Sequence, residues 1–269
     1  MKHTNLISAV ELFNNKEQIV ILDASLNKTK SGVVSPHLGK IITGAQFFDL
    51  KHTFSDQNTD LPNMFPDLKD FYRHISKFGM TLQSQIVVYD NLDMYSSPRV
   101  WLMLKSLGYT DVKVLNGGLS AWISKGFPVV NTHFNTKAEH HIIKHLPSKV
   151  FCDKEFVASI ISSSEFQIID TRSKVRFDGG KPEPRKNMRS GHIESAINIH
   201  YQTLLNNGFL QCKSDLEELL KPILHSNKTL VIYCGSGVTA CILFLALEEY
   251  FEKDKIIYDG SWSEWGKIK

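Results

Sequence analysis

The feature that most constrains this chain is that it says nearly everything twice. IVILDAS (19–25) is matched by FQIIDTR (166–172), and ITGAQFF (42–48) by IESAINI (193–199). IVVYD (86–90) is matched by LVIYC (230–234), and VLNGGLSAW (114–122) by IYDGSWSEW (257–265). The four matches keep the same order, at offsets of 147, 151, 144 and 143 residues. Such a period is too long, and two copies are too few, for a solenoid. Two similar domains account for a chain of 269 residues. The boundaries expected are 1–130 for the first domain, 131–149 for a linker and 150–269 for the second.

Within each copy, short β-rich apolar runs alternate with helical patterns. IVILDA and QIVVYD read as buried strands, PRVWLMLKSLG as a helix stopped by Gly108, and VKVLNG as a further strand. Strands separated by helices imply βαβ units and a mostly parallel sheet flanked by helices, so the fold class is α/β, twice. The linker is polar and rich in histidine. His140, His141 and His145 raise the question of a metal. Few carboxylates lie near them and no second histidine group follows, so no metal is expected.

Composition narrows the partners. A net charge of +3 and no block of like charge give no support for nucleic-acid binding or for a membrane surface. No run reaches 18 apolar residues, and the N-terminus lacks the apolar core of a signal peptide. A cytoplasmic protein is expected. Neither GxGxxG nor GxxxxGK[ST] occurs, so no organic cofactor is expected. The four cysteines (Cys152, Cys212, Cys234 and Cys241) form no CxxC pair and read as free thiols.

One cysteine stands apart. LVIY is a strand, ACILFLALEEY a helix, and Cys234 opens the turn GSGVT between them. Ligands of open α/β sheets bind at such strand ends. Gly235 and Gly237 allow the backbone to curl, so that loop amides and the helix N-terminus face a common point. A thiolate there is stabilised, and the thiolate is the reactive form. A buried, inert thiol is the alternative, and it suits Cys152 and Cys241 better, because neither has a glycine cradle. The matching residue in the first copy is Asp90, without cysteine or glycines. Only the second copy carries a nucleophile, and the first is expected to be a structural partner helping to close the site. A cysteine phosphatase would need an arginine six residues after the cysteine, where this chain has Ala240.

CGSGVTA (234–240), YDGSWSEW (258–265), LNGGLSAW (115–122), SSPRVW (96–101) and RFDGGKPEPR (176–185) followed by SGHIESAINI (190–199) resemble the tandem-domain rhodaneses, and more closely the 3-mercaptopyruvate sulfurtransferases. The resemblance covers nearly the whole chain. It implies a sulfur relay: Cys234 takes sulfur from a small donor as a persulfide and passes it to a thiol or cyanide. The acceptor would be thioredoxin or a low-molecular-weight thiol. The resemblance also implies that the amides of Gly235, Gly237, Val238 and Thr239 hold the anionic sulfur, with Ser236 catalytic. Arg176 and Arg185 would bind the donor's carboxylate and carbonyl, a task that suits the guanidinium fork. Thiosulfate-using relatives resemble CRKGVT and PEPD, where this chain has CGSGVT and PEPR. The bland alternative makes both arginines surface ion-pair partners. Arg172, in DTR, reads as structural.

Two positions depart from the family. Its members resemble FFDID and then HMLP or HMFP, whose Asp and His serve with the loop serine as a proton relay. Here the stretches are FFDLK (47–51) and NMFP (63–66), so Lys51 and Asn63 replace that pair, with His52 adjacent. The relay is therefore not carried over. Three other functions compete: a thiosulfate sulfurtransferase, a persulfide carrier for a partner protein, and a non-catalytic scaffold.

Overall fold

The computed structural model describes residues 4–136 and 149–268. These divide into two compact units, one of residues 4–58, 65–136 and 207–209, the other of 59–64, 149–206 and 210–268. The linker histidines lie outside the described residues. The division differs from the sequence repeat in two places: residues 59–64, which include Asn63, are part of the second unit, and residues 207–209 are part of the first.

The first unit is built on β1 (Leu6–Ile7), β2 (Ile19–Asp23), β3 (Gln46–Phe47), β4 (Gln85–Tyr89) and β5 (Val112–Leu115), in the order β1-β5-β4-β2-β3. Every pairing is parallel. The second unit uses β6 (Phe151–Cys152), β7 (Phe166–Asp170), β8 (Ile197–Asn198), β9 (Thr229–Tyr233) and β10 (Lys255–Tyr258), in the order β8-β7-β9-β10-β6. All of its pairings are parallel too. Read from the other edge, this is the same sheet.

The repetition extends to single atoms. Asp23 is level with Tyr89 in the first sheet, and Asp170 with Tyr233 in the second. The Tyr89 hydroxyl accepts from the amide of Ile42, and the Tyr233 hydroxyl from the amide of Ile193, both at 3.1 Å. In each sheet the two central strands send their connections in opposite directions, so a crevice opens beyond their C-terminal ends.

The central strands are apolar runs because helices cover both faces. Ile21, Leu22, Val87, Val88, Ile168, Ile169, Val231 and Ile232 are all buried. Helix α1 (Ser97–Ser106) starts with Pro98 in its first turn, and Gly108 at φ 89° turns the chain after it. Helix α2 (Gly118–Ser124) follows β5. Helix α3 (Ala240–Tyr250) buries every residue from Ala240 to Leu247. Full burial of a large aliphatic side chain is worth about 1.5–3 kcal/mol, so α3 is a fixed platform. Helix α4 (Ser261–Trp265) follows β10. Among the described residues, no helix is long and apolar enough to cross a membrane, and no group of three metal-ligating side chains is present.

Candidate active site

Cys234 leaves the end of β9 and is buried. Helix α4 holds the loop from outside: the Trp262 amide donates to the Cys234 carbonyl and the Ser263 amide to the Gly235 carbonyl, both at 3.0 Å. The Ser261 hydroxyl holds it from within. Its Oγ accepts from the amides of Cys234 (3.3 Å) and Gly237 (3.0 Å) and donates to the Tyr258 carbonyl (2.8 Å). To do so Ser261 sits at φ 50°, in the left-handed region that favours glycine. Gly237, at φ 72°, makes the turn that the sequence assigns to it. Among the described residues the amides of Gly235, Ser236, Val238 and Thr239 make no hydrogen bond, so four donors remain for a ligand. Thr239 caps α3 without a side-chain hydrogen bond, and the uncapped helix adds positive potential at the loop.

Two guanidinium groups stand over Gly235. A Cβ there would lie 3.4 Å from Arg176 Nη2 and 3.5 Å from Arg185 Nη1. Arg185 Nη2 donates to Ser236 Oγ at 2.9 Å. Arg176 donates through Nε (3.1 Å) and Nη2 to the carboxylate of Glu183, which is almost fully buried. Glu183 also accepts from Arg172 Nη1 at 2.8 Å, and Arg172 pairs with Asp170 at 2.5 Å and lies 4.3 Å over the Trp262 ring. Arg176 thus does form an ion pair, but with a buried acid that aims it at the loop. Arg172 is locked between two acids of its own unit.

Ser236 Oγ receives a second donor, Asn63 Nδ2, at 2.9 Å; Asn63 Nδ2 also lies 3.3 Å from the Ser236 carbonyl oxygen. With both lone pairs engaged, the hydroxyl proton of Ser236 is free to point at a ligand. An amide cannot take up that proton, so Asn63 positions Ser236 without relaying. Tyr201 lies close enough to Cys234 that, after burial, the cysteine's charge is the next influence raising its hydroxyl pKa. Burial, then the charge of Arg176, lowers the imidazole pKa of His200.

The structure therefore gathers all eight residues singled out from the sequence: Cys234, Gly235, Ser236, Gly237, Val238, Thr239, Arg176 and Arg185. The amide of Gly237 is engaged by Ser261 and is not among the open donors. Ser261 and Glu183 were missed as individuals, although each lies in a quoted motif. The other cysteines have no such setting. Burial pushes the Cys152 thiol up to about 12, Cys241 Sγ donates to the Gly237 carbonyl at 3.3 Å, and Cys212 is exposed.

A family model described as the rhodanese-like domain matches residues 8–125 and again 153–268. The chain belongs to the rhodanese family. It is 31% identical over 261 residues to the 3-mercaptopyruvate sulfurtransferase of Escherichia coli K12, covering 93% of this chain and 89% of that protein. It is 32% identical over 228 residues to the mouse 3-mercaptopyruvate sulfurtransferase, covering 83% and 76%. A relative from Arabidopsis thaliana, 35% identical and covering 83% and 65%, is named for thiosulfate as well as 3-mercaptopyruvate. Among solved structures, SseA from Escherichia coli, a 3-mercaptopyruvate sulfotransferase, superposes with a TM-score of 0.83 at 28% identity, covering 97% and 100%. Tum1 from Saccharomyces cerevisiae gives 0.85 at 27% identity, covering 97% and 94%. In this rhodanese, Lys51 and His52 belong to the first unit and border a crevice there.

Proposed function

We propose that this sulfurtransferase takes its sulfur from 3-mercaptopyruvate through a persulfide on Cys234. The observation that carries the reading is the pair of guanidinium groups over Gly235. They offer a carboxylate and its neighbouring carbonyl two planar donors beside the nucleophile. The Cys234 thiolate attacks the donor's sulfur and an S–S bond forms. The C3–S bond breaks with its electron pair going to carbon, as the enolate of pyruvate. Arg185 and the Ser236 hydroxyl face the developing enolate oxygen, and a proton added at C3 gives pyruvate. The open amides of Gly235, Ser236, Val238 and Thr239 hold the terminal sulfur until a thiol or cyanide removes it and restores the thiolate.

The test is donor preference with a dithiol acceptor, measured as pyruvate release from 3-mercaptopyruvate against sulfite release from thiosulfate. The expected result is that pyruvate release dominates, vanishes in Cys234→Ser and shows a raised KM in Arg185→Ala. Faster turnover of thiosulfate by the wild type would refute the donor assignment. Thiosulfate is the second reading, because paired guanidinium groups also suit a dianion. The acceptors proposed are thioredoxin or a low-molecular-weight thiol, and the compartment proposed is the cytoplasm.

A further inference from the structure

Arg176 is aimed at the loop by a buried acid. The segment that carries Arg185 is held by its backbone. Lys186, Asn187, Arg189 and Ser190 are exposed, so apolar packing alone does not fix this stretch. It is stitched to the chain just beyond α4. The Ile268 amide donates to the Asn187 carbonyl at 3.0 Å, and the Arg189 amide to the Gly266 carbonyl at 2.8 Å. Between them Met188 stands opposite Lys267 in an antiparallel bridge. Asn187 enters this pairing at φ 57°, a left-handed conformation that asparagine tolerates.

Trp262 ties that strap to the nucleophile. Its amide donates to the Cys234 carbonyl at 3.0 Å, and its indole Nε1 donates to the Arg189 carbonyl at 3.1 Å. The side chain is buried, with the Arg172 guanidinium 4.3 Å over its ring. Gly266 lies against the same ring: a Cβ there would stand 2.6 Å from Nε1, so glycine is what lets the strap close on the indole. Helix α4 therefore holds the Cys234 loop through its first residues and the Arg185 segment through Trp262 and the strap that follows. We propose that Trp262 and residues 266–268 are positioning elements that set Arg185 over the Cys234 loop and so decide how well the site receives a carboxylate. They act through Arg185, and the inference rests on the reading of Arg185 as a carboxylate-binding group.

The test compares alkylation of Cys234 in the full chain by iodoacetate and by iodoacetamide, which presents the same reacting carbon without the carboxylate. Rates are read on the Cys234 peptide by mass spectrometry, and the exposed Cys212 of the same sample is the reference. Trp262→Phe keeps an aromatic ring and the backbone amide and loses the indole N–H. Ile268 is 59% exposed, so Ile268→Pro spares the core; it removes the amide that holds Asn187, which Ile268→Ala keeps. Trp262→Phe and Ile268→Pro should each lower the iodoacetate-to-iodoacetamide ratio at Cys234 by about fivefold, the worth of one hydrogen bond. The iodoacetamide rate and the ratio at Cys212 should not move, and Ile268→Ala should match the wild type. A general loosening of the fold would change both rates alike. The proposal is overturned if either variant keeps the wild-type ratio, if both rates move together, or if Ile268→Ala falls as far as Ile268→Pro. If the wild type and Arg185→Ala share one ratio, the reading of Arg185 itself fails, and the proposal with it. Which sulfur donor turns over does not enter the ratio.

Discussion

At the end of β4 the chain continues as Asp90, and at the end of β9 as Cys234. Both loops hang from the same backbone bond: the Leu119 amide donates to the Asp90 carbonyl at 2.9 Å, and the Trp262 amide to the Cys234 carbonyl at 3.0 Å. Their interiors differ. The Asp90 carboxylate accepts from the amides of Leu92 (2.8 Å), Ser96 (3.0 Å) and Ser97 (2.8 Å), and from the Ser97 hydroxyl (2.7 Å). The first loop therefore fills its anion cradle with its own side chain. The second loop ties back only two amides, through Ser261, and leaves four open. One scaffold gives a closed structural turn when its first residue is an acid, and a receptive one when that residue is a cysteine with glycines behind it.

The sharpest way to break this comparison is to remove both residues. Cys234→Ser should cut sulfur transfer by at least about 10³-fold, while shifting stability by less than about 1 kcal/mol. Asp90→Ala strips three amides and a hydroxyl of their acceptor. It should cost about 2–4 kcal/mol in urea unfolding. If Asp90→Ala is as stable as the wild type, the carboxylate is not what closes the first loop.

Next in size is Gly235→Arg, which puts a third cation where a Cβ already meets Arg176 and Arg185. The crowding and like charge should raise the KM for 3-mercaptopyruvate by about tenfold or more, an effect of about 1.4 kcal/mol. An unchanged KM would mean that the two arginines do not serve the donor. The corresponding change in the first loop, Asn91→Arg, should leave this KM alone.

Ser261 gives a smaller and more diagnostic contrast, because its counterpart is Gly118. At Gly118, with φ 54°, a Cβ would lie 2.7 Å from the Asp90 carbonyl oxygen. Ser261 accepts the same backbone strain to hold two loop amides. Ser261→Ala loses the hydroxyl and keeps the strain; Ser261→Gly loses the hydroxyl and relieves it. Both should lower kcat, and the glycine variant should be the more stable of the two by about 1 kcal/mol. Equal stabilities would show that the left-handed backbone at Ser261 stores no strain, and an unchanged kcat in both would place the value of Ser261 elsewhere than in its hydrogen bonds.

What could be read from the sequence follows from range. The strands, α1, α3 and the Cys234 turn are coded by residues adjacent in the chain, so periodicity and glycine placement reveal them. The resemblance brought in Arg176 and Arg185, and the structure adds why they can sit together: Glu183, seven residues from one and two from the other, is buried between Arg172 and Arg176. Ser261 escaped because its role depends on a bond across 24 residues to the Gly237 amide, and a serine in a quoted motif carries no such signal. Asn63 was legible as a missing histidine. Its hold on Ser236, across 173 residues, was not.

The smallest effect concerns acid, and it sets the second unit apart from the first. The Ile199 amide donates to the Asp170 carbonyl as the Phe48 amide does to the Asp23 carbonyl, so His200 occupies the place of Asp49. Burial, then the nearby charge of Arg176, lowers the pKa of His200. The folded state prefers the neutral ring, and the unfolded chain binds the proton more readily. The resulting stability is complete above the ordinary histidine value of about 6.5 and is lost as pH falls through it toward the folded value. His200→Gln cannot take up that proton. The Tm advantage of the wild type over His200→Gln should therefore shrink between about pH 7.5 and pH 5.5. A constant or growing difference would show that His200 is not held neutral. Acid sensitivity at this position would then not distinguish the unit with the cysteine from the unit with the carboxylate.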